Sequence, residues 1–158
     1  PVPGPAEGER PGGLLARLGA VIVDGVIVSA MDVLLVSPAG LILYFRPALS
    51  AAPAASDPLL FGTGLLCVSL AAVANVLYLV AFWALRGRTP GKALLGLAIV
   101  RRGGRVGDGI GWSPALLRWL VMGLGGIPFG LGWWIAAFRK DRRAWHDLAA
   151  GTRVVRTR

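Results

Sequence analysis

The apolar run from Leu14 to Val36 is long enough to cross a bilayer, and it carries a carboxylate, Asp24, near its middle. At 1.5 Å rise per residue such a helix extends roughly 35 Å, which covers the hydrocarbon core. A carboxylate at that depth costs about 2.5 to 3.5 kcal/mol on insertion scales, so it faces protein, water or a counter-charge rather than lipid. The other ionisable groups of the run are Arg17 and Asp32. Whatever fold the chain adopts must supply Asp24 with company.

Composition points the same way. With 55% hydrophobic residues and mean hydropathy +0.65, the 158-residue chain belongs with integral membrane proteins. A net charge of +9 raises nucleic acid as a partner, but the distribution reads as topology instead. Arg86, Arg88, Lys92, Arg101, Arg102 and Arg105 share one loop, and Arg139, Lys140, Arg142, Arg143, Arg153, Arg156 and Arg158 lie near the C-terminus. Only Arg46 falls in the other long connection. By the positive-inside rule the basic stretches stay cytoplasmic and the connection around Arg46 is exported. The expected location is a bacterial plasma (inner) membrane, with the N-terminus cytoplasmic.

The fold class expected is an all-α membrane protein with a small cytoplasmic β element. Residues 1–13, rich in Pro and Gly, read as a flexible tail, 14–155 as one membrane domain and 156–158 as a basic tail end. The first span, about 14–36, is interrupted at Ser37 and Pro38; it lacks a small-residue cleavage site, which predicts a retained anchor rather than a signal peptide. The second span covers about 59–85, and its Asn75 is placed to bond across to the first helix.

A third apolar stretch, about 113–138, raises a conflict, because one full crossing would export the basic C-terminal stretch. A re-entrant pair of half-helices, broken at Gly123, Gly125, Gly126 and Pro128, resolves it; a straight third transmembrane segment is the alternative. Farther on, LLGLAIVR and AAGTRVVR share a Gly followed by an alternating run. Each predicts a Gly-capped helix end and a short strand, the two strands pairing, with a hairpin turn at Arg102–Arg105.

Arg17 and Asp24 lie on one helix face, but roughly 10 Å of rise separates them, so they do not pair directly. The expected partner of Asp24 is a cation from another segment, Arg118. Asp32, near the outer end, reads as solvated. The segment GRTPGKALLG resembles a phosphate loop only superficially, since Ala93 follows Lys92 where Ser or Thr belongs. A helix start explains it better, with Thr89 as N-cap, Pro90 as first helical residue, and Gly91 and Lys92 behind it.

His146 is the single histidine and Cys67 the single cysteine, which excludes a multi-histidine or thiolate metal site; Cys67 reads as a packing residue. Asp147 reads as capping the turn DLAAG. No nucleophile and base pair is visible, so no catalytic residue and no cofactor is expected. Trp83, Trp112, Trp119 and Trp145 flank the apolar stretches as interfacial anchors.

Three segments in order, LLARLGAVIVDG with Arg17 and Asp24, RTPGKALLGLAIV, and RRAWHDLAAGTRVV with Asp147, resemble the RDD family of small bacterial membrane proteins. The resemblance spans about Leu14 to Val155 and assigns the arginine and two aspartates of the family pattern to Arg17, Asp24 and Asp147; with Arg118 and His146 these make up the expected buried charge network. It also implies either of two functions, since some relatives are proposed cation/proton exchangers and others accompany larger envelope systems. Size favours a non-enzymatic accessory subunit of an inner-membrane complex serving envelope or lipid transport, because transporters commonly use paired repeats. The alternative is a cation/proton antiporter using Asp24. The partners implied are the lipid bilayer and other membrane subunits or further copies of the chain, with no nucleic acid. The Ala, Gly and Arg bias resembles proteins of actinobacteria.

Overall fold

The computed structural model describes residues 10–45, 58–101, 103–126 and 143–157. Helices dominate, and two of them are apolar enough and long enough to cross a membrane, Leu14–Ile42 within the first and Pro58–Arg86. Their most apolar stretches are only 11% and 17% buried. A core helix of a soluble domain would be mostly covered, whereas these present Leu15, Leu18, Val33, Leu34, Leu65 and Val68 outward.

The first helix, α1 (Leu14–Phe45), runs through Pro38 rather than stopping at Ser37. Proline lacks the N–H that would bond to the carbonyl one turn back, at Leu34. The Ser37 hydroxyl donates to that carbonyl at 3.3 Å, so the freed acceptor keeps a partner and the helix continues. Helix α2 (Pro58–Arg86) opens on a proline, whose missing N–H costs nothing at a first helical position.

The described residues fall into two compact units, Gly25–Val76 and the remainder of the chain. Within Gly25–Val76, Asn75 Nδ2 donates to Asp32 Oδ1 at 3.0 Å, joining α1 to α2 as the polar spacing predicts. Asp32 is thus half-buried and bonded rather than solvated. Cys67 is buried in the same unit, as a packing residue would be.

The other unit is built around a two-stranded antiparallel sheet of β1 (Leu97–Arg101) and β2 (Thr152–Arg156). Each strand follows a five-residue helix, α3 (Pro90–Leu94) before β1 and α5 (Trp145–Ala149) before β2. Gly96 and Gly151 join helix to strand at the same point of each copy, both with φ +62°, a left-handed conformation that favours glycine. The ladder pairs Leu97 with Arg156, Ile99 with Val154 and Arg101 with Thr152, so a local two-fold axis between Ile99 and Val154 relates the two helix–strand copies. The internal likeness in the sequence is therefore a likeness in space. Ala98, Val100 and Val155 form an apolar cluster within the sheet.

The chain turns after β1, Gly104 N–H donating to Arg101 O at 3.0 Å, but no hairpin follows. The partner of β1 is the distant β2, because the loop at 105–111 is drawn onto the end of α2. There Ile110 and Gly111 donate to the carbonyls of Trp83 and Ala84 at 3.0 and 3.1 Å.

The tail is also shorter than its composition suggests. Gly12 N–H donates to Val154 O at 3.0 Å and Arg156 N–H to Arg10 O at 2.9 Å, which lays residues 10–12 along the free edge of β2. At the other end Arg156 belongs to β2, and Thr157 N–H donates to Gly96 O at 2.8 Å rather than trailing as a tail end. Helix α4 (Trp112–Gly126) forms the first part of the third apolar stretch. The break at Pro128 and the second arm lie outside the described residues.

Candidate functional site: a buried cluster of five charges

Two carboxylates organise this unit, one from α1 that meets the first helix–strand copy and one that belongs to the second. Asp24, on α1, lies against the start of α3. Its Oδ1 accepts from Gly91 N–H at 2.8 Å and from the Tyr78 hydroxyl at 3.0 Å, and its Oδ2 accepts from the Thr89 hydroxyl at 2.5 Å. Thr89 Oγ1 in turn accepts from Lys92 N–H at 3.4 Å, so the predicted N-cap is present and Pro90 occupies the first position. The Lys92 ammonium stands 3.9 Å from Asp24 Oδ2. The start of a helix leaves backbone N–H groups without partners, and an acid from α1 satisfies one here.

This docking requires Gly91. A Cβ at that position would lie 2.7 Å from Asp24 Oδ1 and closer still to the carbonyl oxygen of Ala20, a backbone atom that cannot swing aside. Gly91→Ala is expected to cost about 1 to 3 kcal/mol through overpacking. A thermal unfolding midpoint in detergent unchanged from the parent would contradict that close approach.

Asp147, on α5, occupies the position equivalent to Lys92 in the second copy, and it is wholly buried. Its Oδ2 accepts from Arg17 Nη1 at 3.0 Å and from Ala144 N–H at 3.1 Å, the latter capping the start of α5. Its Oδ1 meets Arg118 Nη1 from α4 and lies 3.8 Å from His146 Nε2. Arg118 Nη1 also donates to Thr152 Oγ1 at 2.7 Å, and Arg17 Nε to Gly12 O at 3.1 Å. Arg143 closes the turn by donating to the carbonyls of Thr152 and Asp147 at 3.1 and 3.2 Å.

Arg118 therefore takes Asp147 rather than Asp24, contrary to the sequence expectation. The reason is local: Asp24 is filled by α3 and Tyr78, while Asp147 has two guanidinium groups within reach. The two copies carry opposite signs at equivalent points, an acid from α1 facing Lys92 and a cation from α4 facing Asp147. All five residues of the expected network are buried in this one unit. Tyr78, Lys92 and Thr152 complete it. Of these, Lys92 read only as part of a helix start, although a cation beside unpaired N–H groups is a signal for an acid; Tyr78 and Thr152 carry no signal beyond a polar group at the edge of an apolar run.

Burial and charge shift the titrating groups outside the spans in distinct ways. For Asp147 burial acts upward, but Arg118 and Arg17 outweigh it and hold the carboxyl at about 2. Burial, reinforced by Arg118, pushes His146 down to about 3, so its imidazole is neutral. Burial also lowers Lys92 to about 8, with Arg118 acting in the same sense and Asp24 against it.

His146 has a consequence for acid stability. Below its ordinary value of 6.5 the unfolded chain gains a proton that the folded one refuses until about pH 3, so stability falls as pH drops through that window. His146→Gln should flatten the fall between those limits in thermal midpoints measured across pH. An undiminished slope would place the lability elsewhere.

Trp83 is the buried centre of the cluster rather than an interfacial anchor. It is 2% exposed, with Lys92 Nζ 5.5 Å and Arg118 Cζ 5.3 Å from its ring centroid. Trp112 and Trp145 do lie exposed. Beside Trp83 a cleft of about 30 Å³ is lined by Arg17, Lys92, Arg118 and His146, with Leu14 and Val21 on its apolar side. Among the described residues no group of His, Cys, Asp and Glu is arranged to hold a metal ion.

Two apolar helices of bilayer length and a buried charge cluster beside a small sheet define the class, a small membrane protein. The chain belongs to the RDD family, which it matches over residues 11–151. It is 33% identical over 150 residues to the uncharacterized protein YckC of Bacillus subtilis (strain 168), a likeness covering 92% of this chain and 84% of that protein. No solved structure matches it.

Proposed function

We propose that the protein is a non-enzymatic accessory subunit of a larger bacterial inner-membrane assembly, one that serves envelope or lipid transport, with the charge cluster on the cytoplasmic side. The observation that carries this reading is that both buried carboxylates are engaged by charged and polar groups of the same chain. Asp24 receives three hydrogen bonds, and Asp147 receives two and faces Arg118. A carboxylate that binds and releases a transported cation needs a lone pair facing an open path, whereas these lock five helices and a sheet together. A buried ion cluster used this way specifies one arrangement of segments. Purification from native membranes in mild detergent tests the role: companion membrane proteins in constant ratio are expected, and a solitary monomer or a pure homo-oligomer would overturn it.

The second reading, a cation/proton antiporter, has one observation in its favour. Lys92, at about 8, exchanges a proton near physiological pH within 3.9 Å of Asp24. Reconstituted vesicles decide between the two. Proton movement driven by sodium or potassium, and abolished in Lys92→Met, would replace the accessory role with exchange.

A further inference from the structure

Helix α4 has two unlike sides. Ala115 and Arg118 are buried where it packs on α5, and Arg118 is its only ionisable residue. On the opposite side Leu116, Leu117, Leu120 and Leu124 recur at helical spacing and are 43 to 66% exposed. Three contacts fix which way the helix runs. It begins where α2 ends, Gly111 N–H donating to Ala84 O at 3.1 Å. One carboxylate, Asp147, holds both Arg118 and Arg17, which sets those positions of α4 and α1 level. One turn beyond each, Met122 and Val21 line the same cleft, so the two helices advance side by side from that level. For α1 the advance leads into a span of bilayer length.

We infer that α4 enters the bilayer beside α1 and lays the stripe of Leu116, Leu117, Leu120 and Leu124 against lipid acyl chains. Gly126, the last residue of α4, lies roughly 12 Å beyond Arg118 at 1.5 Å rise per residue, which is well inside a hydrocarbon core of about 30 Å. Over the same depth α1 turns Leu18 and Ile22 outward, so the stripe continues a surface that already faces lipid. The one charge of the helix is turned the other way, onto Asp147, and none of it is spent on the outward face. The inference stands apart from the accessory role, because a lipid-facing α4 suits a solitary chain and a subunit alike.

Spin labelling of the full chain in phosphatidylcholine and phosphatidylglycerol vesicles tests the placement. Single cysteines are introduced by Leu116→Cys, Leu120→Cys and Leu124→Cys in a Cys67→Ala background, with Ile22→Cys as the lipid reference and Arg105→Cys as the aqueous one. All five labelled positions are exposed, so the label displaces no packed side chain. Collisions with oxygen, which dissolves in lipid, are compared with collisions with a water-soluble nickel chelate. The ratio of the two should rise from Leu116 through Leu120 to Leu124, reaching the value at Ile22 and standing several-fold above that at Arg105. A ratio at Leu124 equal to that at Arg105 overturns the inference by placing α4 in water. An unchanging ratio along the three positions overturns the entry into the bilayer, since the helix would then lie flat at its surface. Few collisions with either reagent overturn the lipid assignment and make the stripe a contact for another protein surface.

Discussion

Replacing Asp147 with alanine is expected to destabilise the fold by about 3 to 5 kcal/mol, because two buried guanidinium groups lose the charge that holds them. Arg17 and Arg118 are 7% and 2% exposed and cannot turn to water without dismantling the helix ends that carry them. For a chain of this size the thermal midpoint should drop by about 10 °C or more. A second cation removed at the same time should rescue part of the loss, so Asp147→Ala with Arg118→Met should be less damaging than the two separate costs added. Heating followed by size-exclusion chromatography reads both results. Strict additivity would show that the pair is not coupled.

The same physics sets a large effect at Asp24. Asp24→Leu strands the Tyr78 and Thr89 hydroxyls, the Gly91 N–H and the Lys92 ammonium together, each unsatisfied buried group costing about 1 to 3 kcal/mol. Folded yield after membrane extraction should fall several-fold. Asp32→Asn keeps an acceptor for Asn75 and should lose little. Equal yields from the two variants would mean that the contacts of Asp24 do not hold α1 to α3.

The spans were legible because hydrophobic runs of bilayer length have few alternatives, and the start of α3 because Thr89 and Pro90 suit its first two positions. The paired strands were legible from the repeated glycine, whose left-handed conformation ends each short helix. Partners within the charge cluster were not. Helical spacing tells which face of α1 carries Arg17 and Asp24, but nothing local reports an acid 130 positions away. Which cation met which acid depended on what else filled each carboxylate, a matter of packing. Continuity through Pro38 likewise turned on one hydroxyl, at Ser37, and a solitary serine before a proline reads more readily as a break.

The pairing of β1 with β2 has a consequence for biosynthesis. When β1 leaves the ribosome its partner strand has not been made, and neither has the acid that neutralises Arg17 and Arg118. Until the segment from Ala144 to Thr157 is translated, the nascent protein carries an open strand edge and uncompensated guanidiniums. Closure is therefore late and long-range, the slow kind of contact that leaves a chain dependent on insertion and chaperone machinery. Ribosomes stalled before Ala144 should hold a species that proteases cut after β1, and release of the chain from the ribosome should abolish that sensitivity.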